Sequence, residues 1–172
     1  KIVETARRMG IEGPLQAVPS IALGGSAVSP LEMASAYSTF ATNGLHADSF
    51  LVDRIETVGG ETVYRHEVLP EQRFDPALIA AARQPMLKVP TSAGTARRAD
   101  LPGEVPQGGK TGTHQSYLDA WYVGYVPNYS TAVWVGFPDE QTPLADVTIN
   151  GERYSRVFGG SVPAPIWREF ME

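Results

Sequence analysis

The feature that most constrains the fold is a glycine-rich segment followed at once by two runs that alternate as paired strands do. The segment is Gly108-Gly109-Lys110-Thr111-Gly112-Thr113, and the runs are residues 119–126 and 131–137. Side chains in each run alternate between two faces, which is the period of two that a β-strand requires. Residues 127–130, Pro-Asn-Tyr-Ser, are typical of a turn. The pattern predicts a three-stranded antiparallel sheet that includes the glycine-rich segment.

The glycine-rich segment also carries the side chains with the clearest chemistry. Lys110 supplies a fixed positive charge, and Thr111 and Thr113 supply hydroxyl and backbone donors. Gly112 has no side chain, so a substrate backbone can lie close to the strand. This set predicts an edge strand that binds the anionic end of a peptide. Because Lys-Thr-Gly is a short motif, its surroundings decide how specific the prediction is.

Composition argues against several classes of function. The 172 residues suffice for one full core, and 14 basic against 19 acidic residues give a net charge of −5 without a basic run, which argues against a nucleic-acid partner. Without cysteine, disulfides and thiolate metal sites are impossible. His46, His66 and His114 lack the spacing of metal ligands, so neither a metal nor a cofactor is predicted. No segment of the chain approaches the ~18 apolar residues of a membrane span.

The N-terminal half of the chain carries clear helix signals. Residues 2–9 have helical periodicity, and Gly10 is placed to end that helix. Ser29-Pro30-Leu31-Glu32 is a capping box, which predicts a helix over residues 30–42. Gly59-Gly60 lies between two further runs and favours a β-hairpin with a two-residue turn.

The C-terminal half adds helices around the predicted sheet. An alanine-rich helix is predicted over residues 77–83, and residues 139–158, which lack a clear period, are predicted to form a loop. A closing helix over residues 161–172 is expected to face the core with Ile166, Trp167 and Phe170. Helices and antiparallel strands that alternate in blocks predict an α+β fold, an antiparallel sheet flanked by helices.

Four groups of short segments together resemble one protein family. From about residue 18 to residue 170 the chain resembles the C-terminal part of the transpeptidase domain of bifunctional (class A) penicillin-binding proteins, the serine acyltransferases that cross-link bacterial peptidoglycan. The order and spacing match, and the Lys-Thr-Gly box lies after a turn and before a Trp-containing strand. The segments are Ala22-Leu23-Gly24 with Ser29-Pro30-Leu31-Glu32-Met33-Ala34 and Ala36-Tyr37; Gly94-Thr95-Ala96; Gly109-Lys110-Thr111-Gly112-Thr113; and Asp119-Ala120-Trp121-Tyr122-Val123-Gly124-Tyr125 with Val133-Trp134-Val135-Gly136.

The resemblance implies a penicillin-binding, β-lactamase-like fold that is incomplete in this chain. It implies D,D-transpeptidation, which is serine acyl transfer on the D-Ala-D-Ala end of a peptidoglycan stem peptide, with β-lactam antibiotics as further ligands and no cofactor. Lys110 and Thr113 are the catalytic residues it predicts, Thr113 through an oxyanion-hole amide. Substrate binding is predicted for Lys110, Thr111, Gly112, Thr113 and His114, although a neutral, exposed His114 without such a role is an equal alternative.

The family's two upstream motifs are absent from this chain. The nucleophile of the family lies in a Ser-x-x-Lys box and its proton relay in a Ser-x-Asn box, and no serine here has Lys three residues on or Asn two residues on. We therefore expect residues 1–172 to be the C-terminal portion of a transpeptidase domain, inactive alone, whose upstream part is its partner. By the same resemblance, an upstream glycosyltransferase domain and membrane anchor would place the protein at the outer face of the bacterial cytoplasmic membrane.

Two other functions stay open at this stage. One is a non-catalytic penicillin- or peptide-sensing domain of the same fold, and the other is a serine β-lactamase, which shares the Lys-Thr-Gly box. Trp121, Tyr122, Trp134 and Trp167 invite a role in stacking on glycan, but packing in the core is the better prediction. Gly94-Thr95 is expected to shape a loop rather than take part in chemistry.

Overall fold

The computed structural model describes residues 1–172. The helices are α1 (Ile2–Arg8), α2 (Pro30–Ala41), α3 (Pro76–Met86) and α4 (Pro163–Met171), and two short 3-10 helices are Pro19–Leu23 and Arg97–Ala99. The strands are β1 (Leu45–His46), β2 (Arg54–Glu56), β3 (Thr62–Arg65), β4 (Glu71–Gln72), β5 (Gly108–Thr113), β6 (Asp119–Val126), β7 (Tyr129–Gly136), β8 (Ala145–Ile149) and β9 (Glu152–Arg156). The α+β class predicted from the sequence is confirmed.

The core is organised around a three-stranded antiparallel sheet with the order β5-β6-β7. β6 is the middle strand and is mostly buried, because a helix covers each face. On one face Tyr122 meets Trp167 of α4 edge-on, with ring centroids 5.3 Å apart. On the other face Phe40 of α2 stacks on Tyr125 at 6.1 Å. Tyr122 and Trp167 are fully buried, so these two aromatic residues pack in the core as predicted.

α2 begins at the predicted capping box. The Ser29 hydroxyl accepts a hydrogen bond from the Glu32 amide at 3.2 Å, and the Glu32 carboxylate accepts from the Ser29 amide at 2.9 Å. The same carboxylate accepts from the amides of Glu12 and Gly13 at 2.9 and 2.6 Å, so it ties the preceding loop to the helix. These hydrogen bonds, led by that from the Ser29 amide, stabilise the ionised carboxylate and lower the pKa of Glu32 to about 2.

The hairpin predicted around the glycine pair is present as β2 paired with β3, but its turn has three residues rather than two. The Gly60 N–H donates to Thr57 O at 2.9 Å, and the Thr57 N–H donates to Glu61 O at 2.8 Å, which leaves residues 58–60 in the turn. The prediction fails because a two-residue type I′ turn needs two left-handed residues. Of the glycine pair, only Gly60 has a positive φ, +86°.

The prediction of a loop over residues 139–158 is wrong. β8 pairs with β9 in antiparallel register across Asn150 and Gly151. Both turn residues have a positive φ, +50° and +82°, which is the type I′ conformation that an Asn-Gly pair favours. β8 does alternate, since Ala145, Val147 and Ile149 are separated by Asp146 and Thr148, and Val147 and Ile149 pack partly buried against a small core cluster. That short alternation and the Asn-Gly pair were the usable signals.

α4 packs on the sheet through a narrower stripe than predicted. Trp167 is fully buried, but Ile166 and Phe170 are 44% and 72% exposed, so the prediction that all three face the core is wrong for two of them. Pro163, Ala164 and Trp167 are the buried residues of the helix and lie on one side of it. Ile166 and Phe170 are four residues apart and share an adjoining face. No helix in the structure is both long enough and apolar enough to cross a membrane.

Candidate functional site

The Lys-Thr-Gly-Thr segment forms β5, which is an edge strand of the central sheet. β5 pairs with β6 only, and its other edge is free of any partner strand. Lys110 and Thr113 are exposed, whereas Thr111 and Gly112 are half-buried. The predicted edge position is confirmed, and the segment lies at the surface where a ligand can reach it.

The backbone of β5 presents free hydrogen-bonding groups at alternate residues. Just past the strand, the His114 N–H donates to Asp119 O at 3.1 Å. This hydrogen bond identifies the residues of β5 whose backbone groups point toward β6. Because the direction of bonding alternates along an antiparallel strand, the N–H and C=O groups of Thr111 and Thr113 point to the free edge. A peptide laid along that edge would meet the outward amides and carbonyls of these two residues, of which the Thr111 carbonyl already accepts one hydrogen bond from the Lys110 Nζ.

The two threonine side chains point to the same face of the sheet and are both hydrogen-bonded. They lie opposite Tyr122 and Ala120, on the face that α4 covers. The Thr111 Oγ1 lies 3.0 Å from the Thr95 Oγ1. The Thr113 Oγ1 accepts a hydrogen bond from the N–H of Gly159 at 3.2 Å. Both hydroxyls are therefore held by groups outside the strand.

Gly159 lies so close to the sheet that no side chain fits there. A Cβ on Gly159 would lie 2.1 Å from Trp121 O, 2.8 Å from Gly112 O and 3.0 Å from the Thr111 Cβ. The β8–β9 hairpin leads into this segment and packs against the β5–β6 turn, where Tyr117 meets Phe158 edge-on at 5.5 Å. The hairpin therefore brings the Gly159 amide to the site.

Lys110 lies on the opposite face of the strand from the two threonines. Its Nζ donates to the carbonyl oxygen of Thr111 at 2.8 Å, which is one of the groups at the free edge. The ammonium group therefore lies beside that edge and adds positive potential there. Whether Lys110 takes part in catalysis stays a prediction.

Packing within the protein explains why β5 contains glycine at three positions. A Cβ on Gly108 would lie 2.5 Å from the Tyr125 hydroxyl, and a Cβ on Gly109 would lie 2.5 Å from the Tyr122 hydroxyl. A Cβ on Gly112 would lie 3.1 Å from the Trp121 Cβ, which is a tight contact. The glycines therefore make room for aromatic residues of β6, and close approach of a substrate to Gly112 stays a prediction.

His114 belongs to the turn between β5 and β6. Its Nδ1 accepts a hydrogen bond from the Ser116 amide at 3.1 Å. The His114 carbonyl accepts from the Tyr117 N–H at 2.8 Å. This geometry gives the imidazole a structural use, and its predicted contact with substrate stays untested.

Two contributors to the site were missed by sequence reasoning. Thr95 was expected to shape a loop, and it lies in one, but its hydroxyl also contacts Thr111. Gly159 follows a segment interpreted as a loop, and nothing in the sequence indicated a contact with Thr113. The one usable signal was the presence of Gly94-Thr95 among the segments that carry the resemblance. No group of three or more His, Asp or Glu side chains is placed to hold a metal ion.

Comparison with known proteins identifies relatives over nearly the whole chain. The family described as the penicillin binding protein transpeptidase domain matches residues 11–172. Penicillin-binding protein 1A of Aquifex aeolicus is 33% identical over 99% of this chain, which spans 22% of that relative. The structure of the penicillin-binding protein PonA1 from Mycobacterium tuberculosis matches with a TM-score of 0.80 and 28% identity, over 96% of this chain and 46% of that one.

A second structure of PonA1, in complex with penicillin V, matches with a TM-score of 0.79 and 28% identity, over 96% of this chain and 47% of that one. The chain thus spans about a fifth of the length of the curated relative and just under half of the solved chains. The family match covers nearly all of the sequence, including every residue of the site. The chain therefore belongs to the penicillin-binding protein transpeptidase family.

Proposed function

We propose that this chain supplies the substrate-binding edge of a serine D,D-transpeptidase that cross-links peptidoglycan and is acylated by β-lactams. The observation that carries the proposal is the free edge of β5, where the backbone groups of Thr111 and Thr113 point outward beside an ammonium group. Membership of the transpeptidase family supports it. The complex of the related PonA1 with penicillin V supports binding of β-lactams.

The stem peptide binds as an additional strand on the free edge of β5. Its backbone pairs with the outward N–H and C=O groups of Thr111 and Thr113, as in other cases of strand addition to an exposed edge. Its terminal carboxylate accepts hydrogen bonds from the two threonine hydroxyls. The positive charge of Lys110 favours the same carboxylate. Binding therefore selects an extended peptide with a free C-terminal carboxylate.

The reaction proceeds by attack of an activated serine hydroxyl on the carbonyl carbon between the two terminal D-Ala residues. The hydroxyl proton passes to the proton relay of the upstream motifs. The carbonyl oxygen becomes negative as the C–O bond forms. The outward N–H of Thr113 is one of two donors to that oxygen, and the loss of one such donor typically costs ~2.7 to 4 kcal/mol of transition-state stabilisation. The C–N bond then breaks, the leaving D-Ala amine takes the proton, and an amine from a neighbouring strand later resolves the acyl-enzyme.

The serine and its proton relay lie in another part of the longer protein, within Ser-x-x-Lys and Ser-x-Asn boxes that this chain does not contain. Lys110 extends from the face opposite the threonines and bonds the relay serine when that part is in place. The complete protein acts at the outer face of the bacterial cytoplasmic membrane, where its peptidoglycan substrate lies. The second oxyanion-hole donor is the amide of the nucleophilic serine.

The proposal is tested by acylation with a fluorescent penicillin. The complete protein is expected to form a persistent covalent adduct, and this chain alone is expected to form none. Thr113→Val removes the hydroxyl but keeps the amide, so it is expected to slow acylation of the complete protein roughly 10- to 100-fold, the value of a hydrogen bond to a charged group. The matched control is Thr62→Val, an exposed threonine in a strand outside the site.

Each contrary result points to a different function. No adduct on the complete protein would indicate a non-catalytic sensor domain. An adduct that releases penicilloate within minutes would indicate a β-lactamase. Equal acylation rates of Thr113→Val and Thr62→Val would exclude the Thr113 hydroxyl from carboxylate binding.

A further inference from the structure

The loop that carries Thr95 is anchored firmly beside the site. The Ala96 N–H donates to Val89 O at 3.0 Å, and the Gly94 N–H donates to Thr91 O at 2.9 Å. Ala96 is fully buried, and a Cβ on Gly94 would lie 2.1 Å from Val89 O. Thr95 is therefore held between two fixed neighbours by backbone contacts that do not involve its own hydroxyl.

A second segment fixes Thr95 from the other side. A Cβ on Gly160 would lie 2.0 Å from Thr95 O, so the backbone at Gly160 passes directly against Thr95. Arg98, in the short helix that follows the Thr95 loop, donates from Nη1 to Ser161 O at 2.9 Å and ties the two segments together. The Thr95 hydroxyl is thus placed by rigid structure at 3.0 Å from the Thr111 hydroxyl.

The hydroxyls of Thr111 and Thr113 differ in whether they donate or accept in their hydrogen bonds. A threonine hydroxyl has one proton to donate and two lone pairs that accept. The Thr113 Oγ1 accepts from the N–H of Gly159, so its own proton remains available. Either oxygen can donate in the Thr95–Thr111 pair. A carboxylate can only accept, so it draws the Thr111 proton toward itself and leaves Thr95 as the donor of the pair.

We propose that Thr95 is a positioning residue for carboxylate recognition, an inference that rests on the function proposed above. Its hydroxyl donates to the Thr111 Oγ1 and so directs the Thr111 proton to the carboxylate of the stem peptide or β-lactam. The Gly159 amide does the same for Thr113. The site thereby presents two hydroxyl protons to one anion, each oriented by a donor behind it, which favours a carboxylate over its neutral ester or amide.

The test compares a β-lactam acid with its carboxylate ester on the complete protein. Thr95→Val removes the hydroxyl and keeps the shape of the side chain. We expect it to lower the acid-to-ester ratio of acylation rates roughly 3- to 10-fold, the value of one hydrogen bond between neutral groups. Thr95→Ser keeps the donor and is expected to restore the ratio. Thr91→Val, which removes a hydroxyl that donates to Lys88 O at 2.8 Å in the same loop, is the control and should leave the ratio unchanged.

A Thr95→Val variant that slows acid and ester equally would make Thr95 structural only and overturn the inference. The inference would also be overturned if Thr95→Val had no effect on either rate, or if Thr95→Ser failed to restore the acid-to-ester ratio. Thr111→Val serves as the reference and is expected to lower the ratio by more than Thr95→Val does. If Thr111→Val leaves the ratio unchanged, the proposed carboxylate site itself is wrong. If Thr111→Val lowers it and Thr95→Val does not, only the role of Thr95 fails.

Discussion

Gly159 is the position where one added methyl group tests the packing of the site most severely. Its Cβ would lie 2.1 Å from Trp121 O and 2.8 Å from Gly112 O, and both of these atoms belong to the sheet backbone. Backbone atoms in the paired strands β5 and β6 cannot rotate away as a flexible side chain can. The segment before α4 must therefore lift off the sheet when Gly159 becomes alanine.

The size of the effect follows from these distances. Moving the new methyl group out of contact with the Trp121 carbonyl requires a shift of about 1 Å, and strain of this kind typically costs ~1 to 3 kcal/mol. The same shift breaks the hydrogen bond from the Gly159 N–H to the Thr113 Oγ1, which contributes ~0.5 to 1.5 kcal/mol. Together these effects predict a loss of about 1.5 to 4.5 kcal/mol in the free energy of unfolding.

The assay is denaturant unfolding of the Gly159→Ala variant. Acylation by penicillin is measured on the complete protein that carries the same substitution, at a temperature where the variant is folded. We expect both reduced stability and slower acylation, because the Thr113 hydroxyl loses the donor that orients it. Gly59→Ala is the matched control, since a Cβ there meets only the Thr57 Oγ1 at an ordinary 3.7 Å. A Gly159→Ala variant that unfolds and acylates like Gly59→Ala would refute the contact between this segment and the sheet.

Two further predictions concern stability. The pKa of Glu32 in the folded protein is about 2, below its ordinary value of 4.5. The ionised Glu32 carboxylate therefore contributes to the free energy of unfolding above pH 4.5, and this contribution is lost as the pH falls toward 2. Glu32→Gln should abolish that part of the pH dependence of unfolding, on the order of 1 kcal/mol because solvent screens the half-buried carboxylate, and an unchanged pH profile would contradict the capping role. The Tyr122 hydroxyl is buried without a hydrogen-bond partner. Tyr122→Phe should therefore change the free energy of unfolding by less than about 1 kcal/mol, and a larger loss in denaturant unfolding would show that the hydroxyl is satisfied.

Local signals in the sequence predicted the elements that depend on local chemistry. The capping box gave the start of α2, because the hydrogen bonds between Ser29 and Glu32 are made within one turn of helix. The alternation of β6 and the glycine-rich segment before it gave the central sheet, although β7 begins at Tyr129, two residues before the predicted strand. The extra pair of residues was missed because the turn after β6 contains only Pro127 and Asn128.

Contacts between distant segments explain what the sequence could not reveal. The hydrogen bond between Thr95 and Thr111 and the bond from Gly159 to Thr113 join residues 16 and 46 positions apart. No periodicity or capping rule operates over such distances. The exposed faces of Ile166 and Phe170 were misjudged for a related reason, since the width of the stripe that α4 buries depends on the sheet beneath it.

The most direct test of the central claim is a crystal structure of the complete protein acylated by penicillin. We expect the penicillin carboxylate to lie within about 2.5 to 3.2 Å of the hydroxyl oxygens of Thr111 and Thr113, and the acyl carbonyl oxygen to lie within hydrogen-bonding distance of the Thr113 N–H. A bound penicillin whose carboxylate points away from β5, with its acyl oxygen held by other donors, would contradict the central claim.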